Sequence, residues 1–487
     1  MMTAKWSLRR VAAQTAMFSG FTIGCFAPCA AGQQLDRSVR PPAAAPTPFA
    51  FPATHTTTLD NGLTVIVVEN HALPLVAVRL ELNASDGDDP PGEEGLFAMD
   101  SVMVGEGSTD MTAAQQADTM GQLGNDVSPY GFTTVTSSFA PSLRLMADMV
   151  TRPAFPPEAF DRVKSALMLS AQSRRAIPYY AGRRVMSAKM FGAASPITRA
   201  SLPTQAGLSA ITPEILRAFH DSIFRPNNAT LIIVGDVQTA DALAAARATF
   251  DPWKSGPVRA AVRADALDPA PTTIYLLDRP GLPRQSWVLT GEHAIDHGAP
   301  DAYALDVLSP ILGSTPSSRL QQNLRERHSY MYSGFPALIS WQPSPFPSLL
   351  YGWAPVNAAK TDSALIEWLG ELRGMRDRPP SADEMANARR YVIGSLIGQI
   401  ETDDGVADRL VYLRRNGLPL DYYDHYTAAI DQVTPDDVLA AARRYIDPDH
   451  LVIVVVADRK TVEPLLRAAN IAPVVVVDDD GNPLPPG

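Results

Sequence analysis

The chain has 487 residues, of which 46% are hydrophobic and 19% are charged, and its formal net charge is -11. This length exceeds one ordinary domain, and this composition allows packed cores and argues against bulk disorder. The acidic charge and the lack of a Lys/Arg-rich block disfavour DNA or RNA as the main partner.

The N-terminus predicts an export signal at residues 1–31. Lys5 and Arg9 belong to a short basic region, an uncharged apolar stretch follows, and small residues provide a cleavage site. A membrane anchor is the alternative, but polar residues interrupt the apolar run, which is short for a span. The signal contains Cys25 and Cys29, so the mature protein would have no cysteine. We therefore expect an exported, periplasmic (bacterial) protein without stable membrane insertion after cleavage.

An internal repeat organises the rest of the chain. Residues 211–236 read ITPEILRAFHDSIFRPNNATLIIVGD, and residues 433–458 read VTPDDVLAAARRYIDPDHLVIVVVAD, in register without a gap. In each copy a Thr can cap a helix that begins at Pro, and a Pro-Asn or Pro-Asp turn leads into a Val/Ile strand. The repeat therefore predicts a tandem duplication of one structural unit.

The predicted organisation has six parts, and the Pro-rich tail is expected to fray. They are a signal peptide at residues 1–31, a Pro/Ala-rich linker at 32–55, an N-terminal domain at 56–258, an interdomain linker at 259–272, a C-terminal domain at 273–475 and the tail at 476–487.

Several segments resemble the pitrilysin/insulinase (M16) family of zinc metallopeptidases. They are LDNGLTVIVVENHALPLVAVRLEL at 59–82, EEGLFAMDSVMVGEGST at 93–109, FRPNNATLIIVGDV at 224–237 and LSPILGSTPSSRLQQNLRERHSYMYS at 308–333. The resemblance extends over nearly all of 56–475 and is silent on the substrate. It implies an α+β fold of two homologous M16-type halves, each a β-sheet covered on one face by helices.

Catalytic members of this family carry H-x-x-E-H on the first long helix, and a further Glu downstream completes their zinc site. In this chain Ala98 and Val102 occupy the His positions, Ser101 occupies the position of the general base, and Arg184 aligns with the downstream Glu. None of these side chains is a zinc ligand. We therefore expect that this chain binds no cofactor and that a partner subunit carries the zinc.

One segment imitates the lost motif. His293 and His297 stand four positions apart in HAIDH, with Asp in place of Glu. The segment follows a strand and precedes a helix that is expected to begin near Pro300, so it is predicted to be a connection where the two rings share no helix face. The remaining histidines show no ligand spacing and are interpreted as surface or packing residues: His55, His71, His220, His328, His425 and His450.

The family resemblance also implies a site that this chain retains. Many members supply an Arg and a Tyr, seven positions apart, from the C-terminal half to the partner half's zinc site, and Arg325 and Tyr332 fit that pattern. A guanidinium can hold substrate carbonyls, and a phenol can donate to a developing oxyanion. The alternative is a solvated Arg325 and a Tyr332 that packs in the core. Tyr332 is expected on the strand after the helix, and Ser329 stands in the turn where the family usually has Gly.

The sequence therefore predicts the non-catalytic subunit of a heterodimeric zinc-dependent M16 peptidase. Its partner would be a zinc-bearing M16 paralogue, its substrates would be peptides, and it would contribute Arg325, Tyr332 and half of the proteolytic chamber. One alternative is an inactive peptide-binding or scaffold protein of the same fold. A third interpretation is an independent metallopeptidase that uses His293 and His297.

Overall fold

The computed structural model describes residues 50–201, 203–258, 262, 264–282, 284–293, 298–340 and 348–485. The predicted export signal lies outside these ranges. Within them, eleven strands form one five-stranded and one six-stranded sheet, and helices pack against both. The predicted α+β class is confirmed. None of the helices in the described part combines the length and apolar character needed to cross a membrane.

The N-terminal half contains the five-stranded sheet, whose spatial order is β1-β2-β5-β3-β4. Strand β5 lies at its centre, parallel to β2 and antiparallel to β3, and every residue of β5 is buried. The strands are β1 His55–Thr58, β2 Thr64–Glu69, β3 Leu75–Leu82, β4 Gly131–Val135 and β5 Ala229–Gly235. The helices of this half are α1 Leu96–Met103, α2 Ala113–Leu123, α3 Phe139–Thr151, α4 Pro157–Ala176, α5 Pro178–Phe191, α6 Pro196–Ala200, α7 Gln205–Ala210, α8 Pro213–Ile223 and α9 Thr239–Phe250.

The C-terminal half contains the six-stranded sheet, in the order β11-β6-β10-β7-β9-β8. Its strands are β6 Thr273–Asp278, β7 Gln285–His293, β8 Phe335–Ser340, β9 Leu349–Asn357, β10 Val452–Ala457 and β11 Val474–Val477. Its helices are α10 Ala302–Leu312, α11 Arg319–Gln321, α12 Thr361–Asp377, α13 Ala382–Gln399, α14 Asp403–Arg415, α15 Tyr422–Gln432, α16 Pro435–Tyr445 and α17 Arg459–Ala469. A π-helical segment, Gln322–Arg327, continues directly from α11.

The two copies of the sequence repeat have the same structure. The Thr212 hydroxyl accepts from the Ile215 N–H at the start of α8, and the Thr434 hydroxyl accepts from the Asp437 N–H at the start of α16. Each helix leads to a central strand that is parallel to one neighbour and antiparallel to the other, β5 between β2 and β3 and β10 between β6 and β7. The predicted duplication is therefore confirmed at the level of strand topology.

Both faces of each sheet are apolar, which requires a cover on each side. In the N-terminal sheet Val65 and Leu231 point into the core formed with the helices of that half, whereas Ile66 and Ile232 belong to a core shared with the C-terminal half. Alternate residues of a strand point to opposite faces, so a strand with no polar alternation is buried on both. The helices of one half cover one face of its sheet, as expected, and the second face is covered by a helix of the other half.

The second face of the N-terminal sheet is covered by α14, which packs against β3 and β5. Ion pairs fix its position: Arg79 of β3 contacts Asp404 at 2.6 Å and Asp408 at 2.9 Å, and Arg415 contacts Glu81 at 2.6 Å. Desolvation lowers the pKa of the Arg79 guanidinium less than the two carboxylates raise it, so its pKa is raised overall. This helix therefore ties the two halves together by apolar and ionic contacts.

The second face of the C-terminal sheet is covered by α5 from the N-terminal half. Ala181, Val185 and Met186 of α5 form one apolar cluster with Leu289 and Val454 of the sheet. The helix approaches closely at Gly182, where an added Cβ would lie 2.6 Å from Leu289 Cδ1 and 3.1 Å from Val456 Cγ2. The exchange of helices is therefore reciprocal.

The Pro-rich tail does not fray over residues 478–485. The carboxylate of Asp480 lies 2.9 Å from the Arg184 guanidinium, and that of Asp479 lies 2.5 Å from Arg279. The Leu484 N–H donates to the Val476 carbonyl at 2.8 Å. Carboxylates that follow an edge strand are held here by cations of both halves.

The close approach of α5 makes a stability prediction. An exposed helical Gly→Ala change gains about 1 kcal/mol, so Gly370→Ala on α12, which has open space around it, should raise the free energy of unfolding by that amount. Gly182→Ala should lose this gain, and Gly182→Val should lower the free energy by about 1–3 kcal/mol because it overpacks the contact with Leu289. Urea denaturation measures all three, and equal gains at both positions would contradict the observed packing of α5.

Candidate functional site

A buried carboxylate holds helix α1 in place. By the resemblance, this helix corresponds to the zinc-binding helix of M16 peptidases. It begins after Gly95, whose left-handed φ of 103° suits glycine, and an added Cβ there would lie 2.6 Å from the Leu208 side chain. Asp89 accepts from the N–H groups of Gly95 and Phe97, each at 2.7 Å. Burial raises the pKa of Asp89 to about 7, although these donors favour its charged form. The start of α1 is therefore fixed without a metal.

The three degenerate motif positions share one partly exposed face of α1. Val102 is 44% exposed, and Ala98 and Ser101 are half-buried. The Ser101 hydroxyl accepts from the Tyr130 phenol at 2.8 Å, and burial raises the pKa of that phenol further above its usual range. Zinc requires imidazole, thiolate or carboxylate lone pairs, and this face supplies two hydrocarbon side chains and one engaged hydroxyl. These residues do not fit a zinc ion.

A histidine and a carboxylate do meet beside α1, but on its buried side. Asp100 points into the core, where its carboxylate lies 3.2 Å from His220 Nδ1. The other ring nitrogen of His220 lies 3.2 Å from the Val150 carbonyl, and its ring stacks on Phe224 at 4.2 Å. Both ring nitrogens of His220 thus have partners within the core, so His220 is a packing residue. Across the described residues, no group of three or more His, Cys, Asp or Glu side chains is placed to hold a metal.

Arg184 makes its contacts elsewhere. It lies on α5, which packs against the C-terminal sheet, and its guanidinium pairs with Asp480 of the tail. Helix α4 packs against α1. Among the described hydrogen bonds and ion pairs, the structure does not bring Arg184 together with Ala98, Ser101 or Val102. Its alignment with the downstream Glu stays a prediction.

Arg325 and Tyr332, by contrast, lie together. Arg325 belongs to the π-helical segment, and its guanidinium carbon lies 5.1 Å from the centroid of the Tyr332 ring. The Tyr332 residue is 81% exposed and the Arg325 side chain 40% exposed, and Glu326 lies 3.4 Å from the guanidinium. Leu320 and Leu324 anchor the segment in the core with full burial, as their spacing predicts. The helix thus presents Arg325 to solvent from a fixed base, and Tyr332 is not a core aromatic.

The segment that connects this pair differs from the prediction in one respect. Met331 forms a single bridge with Val356, and strand β8 begins at Phe335, so Tyr332 lies in the turn between them rather than on a strand. The bend requires a left-handed residue, and Ser329 supplies it at φ 52°. A π-helical turn ends there, because the His328 N–H bonds to the Asn323 carbonyl five residues earlier. Ser329 therefore adopts a conformation that favours the glycine usual in the family.

The pair lines an open cleft of about 480 Å³ at one end of the C-terminal sheet. Polar groups of two neighbouring strands face it, since Gln285 of β7 pairs in register with Asn357 of β9. Pro355 and Arg284 complete this wall. No local pattern in the sequence indicated these four residues, because they reach Arg325 only through pairing between strands far apart in the chain.

The HAIDH segment lies partly outside the described residues. His293 is the last residue of β7, which extends further than expected, and helix α10 begins at Ala302 after Asp301. His297 falls in the undescribed range 294–297. A catalytic pairing of the two histidines therefore stays untested. The residue before them, Glu292, is buried, and it accepts from the Asp447 N–H at 2.6 Å.

Glu292 makes the stability of the fold depend on pH. Burial raises its pKa to about 8, above the unfolded value of about 4.3. Its contribution to stability is therefore complete below that unfolded value and is lost as the pH rises toward 8. Glu292→Gln keeps the shape of the side chain but has no group that titrates. The free energy of unfolding of the wild type relative to this variant should therefore fall from pH 5 to pH 8, as measured by urea denaturation. The exposed Glu401→Gln is the control, and parallel curves for all three proteins would contradict this.

The left-handed turn at Ser329 makes a second prediction. A left-handed conformation costs a non-glycine residue about 1–2 kcal/mol, and the greater chain entropy of glycine offsets part of that. Ser329→Gly should therefore leave the free energy of unfolding unchanged or raise it by about 1 kcal/mol. Ser329→Val should lower it by more than 1 kcal/mol, roughly. Ser333→Val, in the same exposed connection, is the matched control, and equal effects of valine at both positions would contradict the strain.

The chain has recognisable relatives among known proteins. Residues 210–392 match the family model described as Peptidase M16 inactive domain. The chain is 24% identical over 426 residues to an uncharacterized zinc protease of Mycobacterium leprae. The alignment covers 84% of this chain and 94% of that protein. It is 21% identical over 363 residues to the uncharacterized zinc protease YmxG of Bacillus subtilis, across 72% of this chain and 86% of that protein.

Solved structures share the fold. A peptidase M16 inactive domain from Pseudomonas fluorescens superposes with a TM-score of 0.74 at 20% identity, over 83% of this chain and 98% of that one. A protease from Helicobacter pylori superposes with a TM-score of 0.74 at 18% identity, over 84% of this chain and 100% of that one. At these identities the likeness concerns the fold.

Proposed function

The resemblance to the M16 peptidase family is confirmed by sequence and fold, and from this premise we propose that the chain is the non-catalytic subunit of a two-subunit zinc peptidase. The observation that carries the proposal is the contrast between two sites. The α1 face offers no zinc ligand, whereas Arg325 and Tyr332 stand side by side in an open cleft. A chain that had lost all peptidase function would have no need to present these two side chains together.

The chemistry of the pair suits a substrate whose scissile bond lies in another chain. The Arg325 guanidinium has several donors in a fixed plane and can hold the main-chain carbonyls of an extended peptide. The Tyr332 phenol can donate a hydrogen bond to a carbonyl oxygen as it gains negative charge. Neither role requires a metal ligand from this chain.

The exposure of Tyr332 supports the need for a partner. A hydrogen bond to a developing oxyanion is strong where water is excluded, and Tyr332 is 81% exposed in the single chain. A second subunit that covers the cleft would exclude water from the phenol and bring its own zinc opposite to it. In this proposal the partner is a zinc-bearing paralogue, and each subunit forms half of the chamber around a peptide.

The proposal also includes the place where the complex works. The basic and apolar N-terminal residues described above are typical of an export signal. The complex would therefore act on peptides in the periplasm of a bacterium.

The test is a reconstituted complex with the zinc-bearing paralogue. Tyr332→Phe in this chain alone should lower turnover by about 10²–10³, the usual cost of one oxyanion donor, while pairing and zinc content stay unchanged. Arg325→Ala should mainly raise KM, because its contacts to the main chain exist before the transition state.

Tyr330→Phe is the matched control. Tyr330 lies two residues away, but its ring stacks on His328 at 5.0 Å and its hydroxyl has no proposed role, so turnover should change little. Full activity after removal of both Arg325 and Tyr332 would contradict the proposal. The chain would then be a scaffold that forms a wall of the chamber.

A further inference from the structure

The Arg325/Tyr332 cleft continues along the C-terminal sheet onto an exposed aromatic surface. Pairing of β7 with β9 places Gln285 opposite Asn357, Trp287 opposite Pro355 and Leu289 opposite Trp353. Alternate residues of a strand share a face, so all six lie on one side of the sheet. Gln285, Pro355 and Asn357 line the cleft, and the two tryptophans follow directly along the same face.

Helix α5 covers this face only in part. It packs over Leu289 at Gly182 and over Gly291 at Met186, and its first turn begins at Pro178. The two tryptophans therefore lie at the end of the cover, where both remain half-exposed. The sheet face is thus divided into a covered part under α5, an aromatic part and the polar cleft.

Four rings form the aromatic part, which we call the aromatic floor: Tyr179, Trp287, Phe335 and Trp353. Trp287 and Trp353 are stacked, with centroids 5.7 Å apart and planes at 12°. Tyr179 contacts Trp353 edge to face at 5.2 Å, and Phe335 contacts it from β8 at 6.1 Å. Phe335 is 47% exposed. Large rings held by one another and open on one side can bury a further apolar group without reorganising.

A cation stands beside one ring of the floor, and cations also stand beside two neighbouring rings. The Arg183 guanidinium lies 6.0 Å from the Tyr179 ring and 5.7 Å from the Tyr351 ring, and Arg174 lies 5.6 Å from the Tyr180 ring. They occupy positions over aromatic faces that a lysine or arginine of a ligand would otherwise take. Like charges also repel, so the floor favours an uncharged apolar side chain over a basic one.

We propose that the aromatic floor is a subsite for one large apolar side chain, preferably aromatic, of the peptide that Arg325 and Tyr332 hold. This inference rests on the proposed function, because it requires a peptide in the cleft. The spacing agrees: Gln285 and Trp287 are two residues apart on β7, about 7 Å, which is the distance between side chains on one face of an extended peptide. In an extended peptide that runs along the sheet, one side chain would therefore contact the cleft, and the next side chain on the same face of the peptide would contact the floor.

The experiment uses the full-length mature chain and fluorescein-labelled peptides with blocked ends. The peptides are identical except at one central position, which is Phe, Ala or Lys. Burial of a phenylalanine ring should make the Phe peptide bind about tenfold tighter than the Ala peptide, or more, and the Lys peptide should bind weakest. Fluorescence anisotropy measures the three affinities.

Variants separate the floor from the cleft. Phe335→Ala and Trp287→Leu should each bring the ratio of Phe to Ala affinity close to one and leave the affinity of the Ala peptide unchanged. Tyr391→Ala removes a ring of similar exposure on α13 and should leave the ratio unchanged. Arg325→Ala should weaken all three peptides by the same factor and keep the ratio. Thermal unfolding of each variant verifies that it folds.

The outcomes distinguish this inference from the proposed function. If the three peptides bind equally well, or if the preference for Phe survives both floor variants, the subsite is overturned and peptide binding by the cleft stands. Suppose that the Phe peptide is preferred, and that Arg325→Ala and Tyr332→Phe change neither the ratio of Phe to Ala affinity nor the affinities themselves. The floor then binds apolar groups without the cleft, and the link to the proposed function fails. If no peptide binds to the chain, the subsite is overturned, whereas the proposed function is decided by turnover of the reconstituted complex.

Discussion

The structure depends on one constraint, which is that each sheet has two apolar faces and each half covers only one of its own with its own helices. The second face of the N-terminal sheet takes α14 from the C-terminal half, and the second face of the C-terminal sheet takes α5 from the N-terminal half. An exposed Val/Ile face would cost hydrophobic free energy over its whole area, so neither half is complete alone. The exchange therefore makes a single folding unit of the two halves.

The same constraint determines where a ligand can approach the C-terminal sheet. Helix α5 crosses the sheet face and begins at Pro178, short of the end of β7 and β9. The uncovered end contains the stacked tryptophans and the cleft with Arg325 and Tyr332. The Arg184–Asp480 ion pair and the close Gly182 contact hold the helix at this boundary between covered and open surface.

The first helix of the N-terminal half is held by contacts at its start and on its buried side. Asp89 fixes its first turn, and the buried Asp100–His220 pair anchors it to α8 and α3. These contacts are made by buried side chains, away from the partly exposed face of the helix. The face that carries Ala98, Ser101 and Val102 is free of such duties. The fold of this helix therefore does not depend on zinc ligands at these positions.

The sequence by itself determined the features that local chemistry encodes. Thr caps, Pro at the first helical position and Val/Ile runs specified the duplicated helix-strand units around Thr212 and Thr434, and the side chains at Ala98, Ser101 and Val102 excluded zinc ligation directly. The sequence also placed Arg325 on a helix and Tyr332 beyond the end of that helix. The tertiary structure decided the rest: the exchange of α5 and α14, the docked tail, Tyr332 in a turn, and the meeting of Gln285 and Asn357 with Arg325. These depend on contacts between residues far apart in the chain, which the local preferences of either segment do not specify.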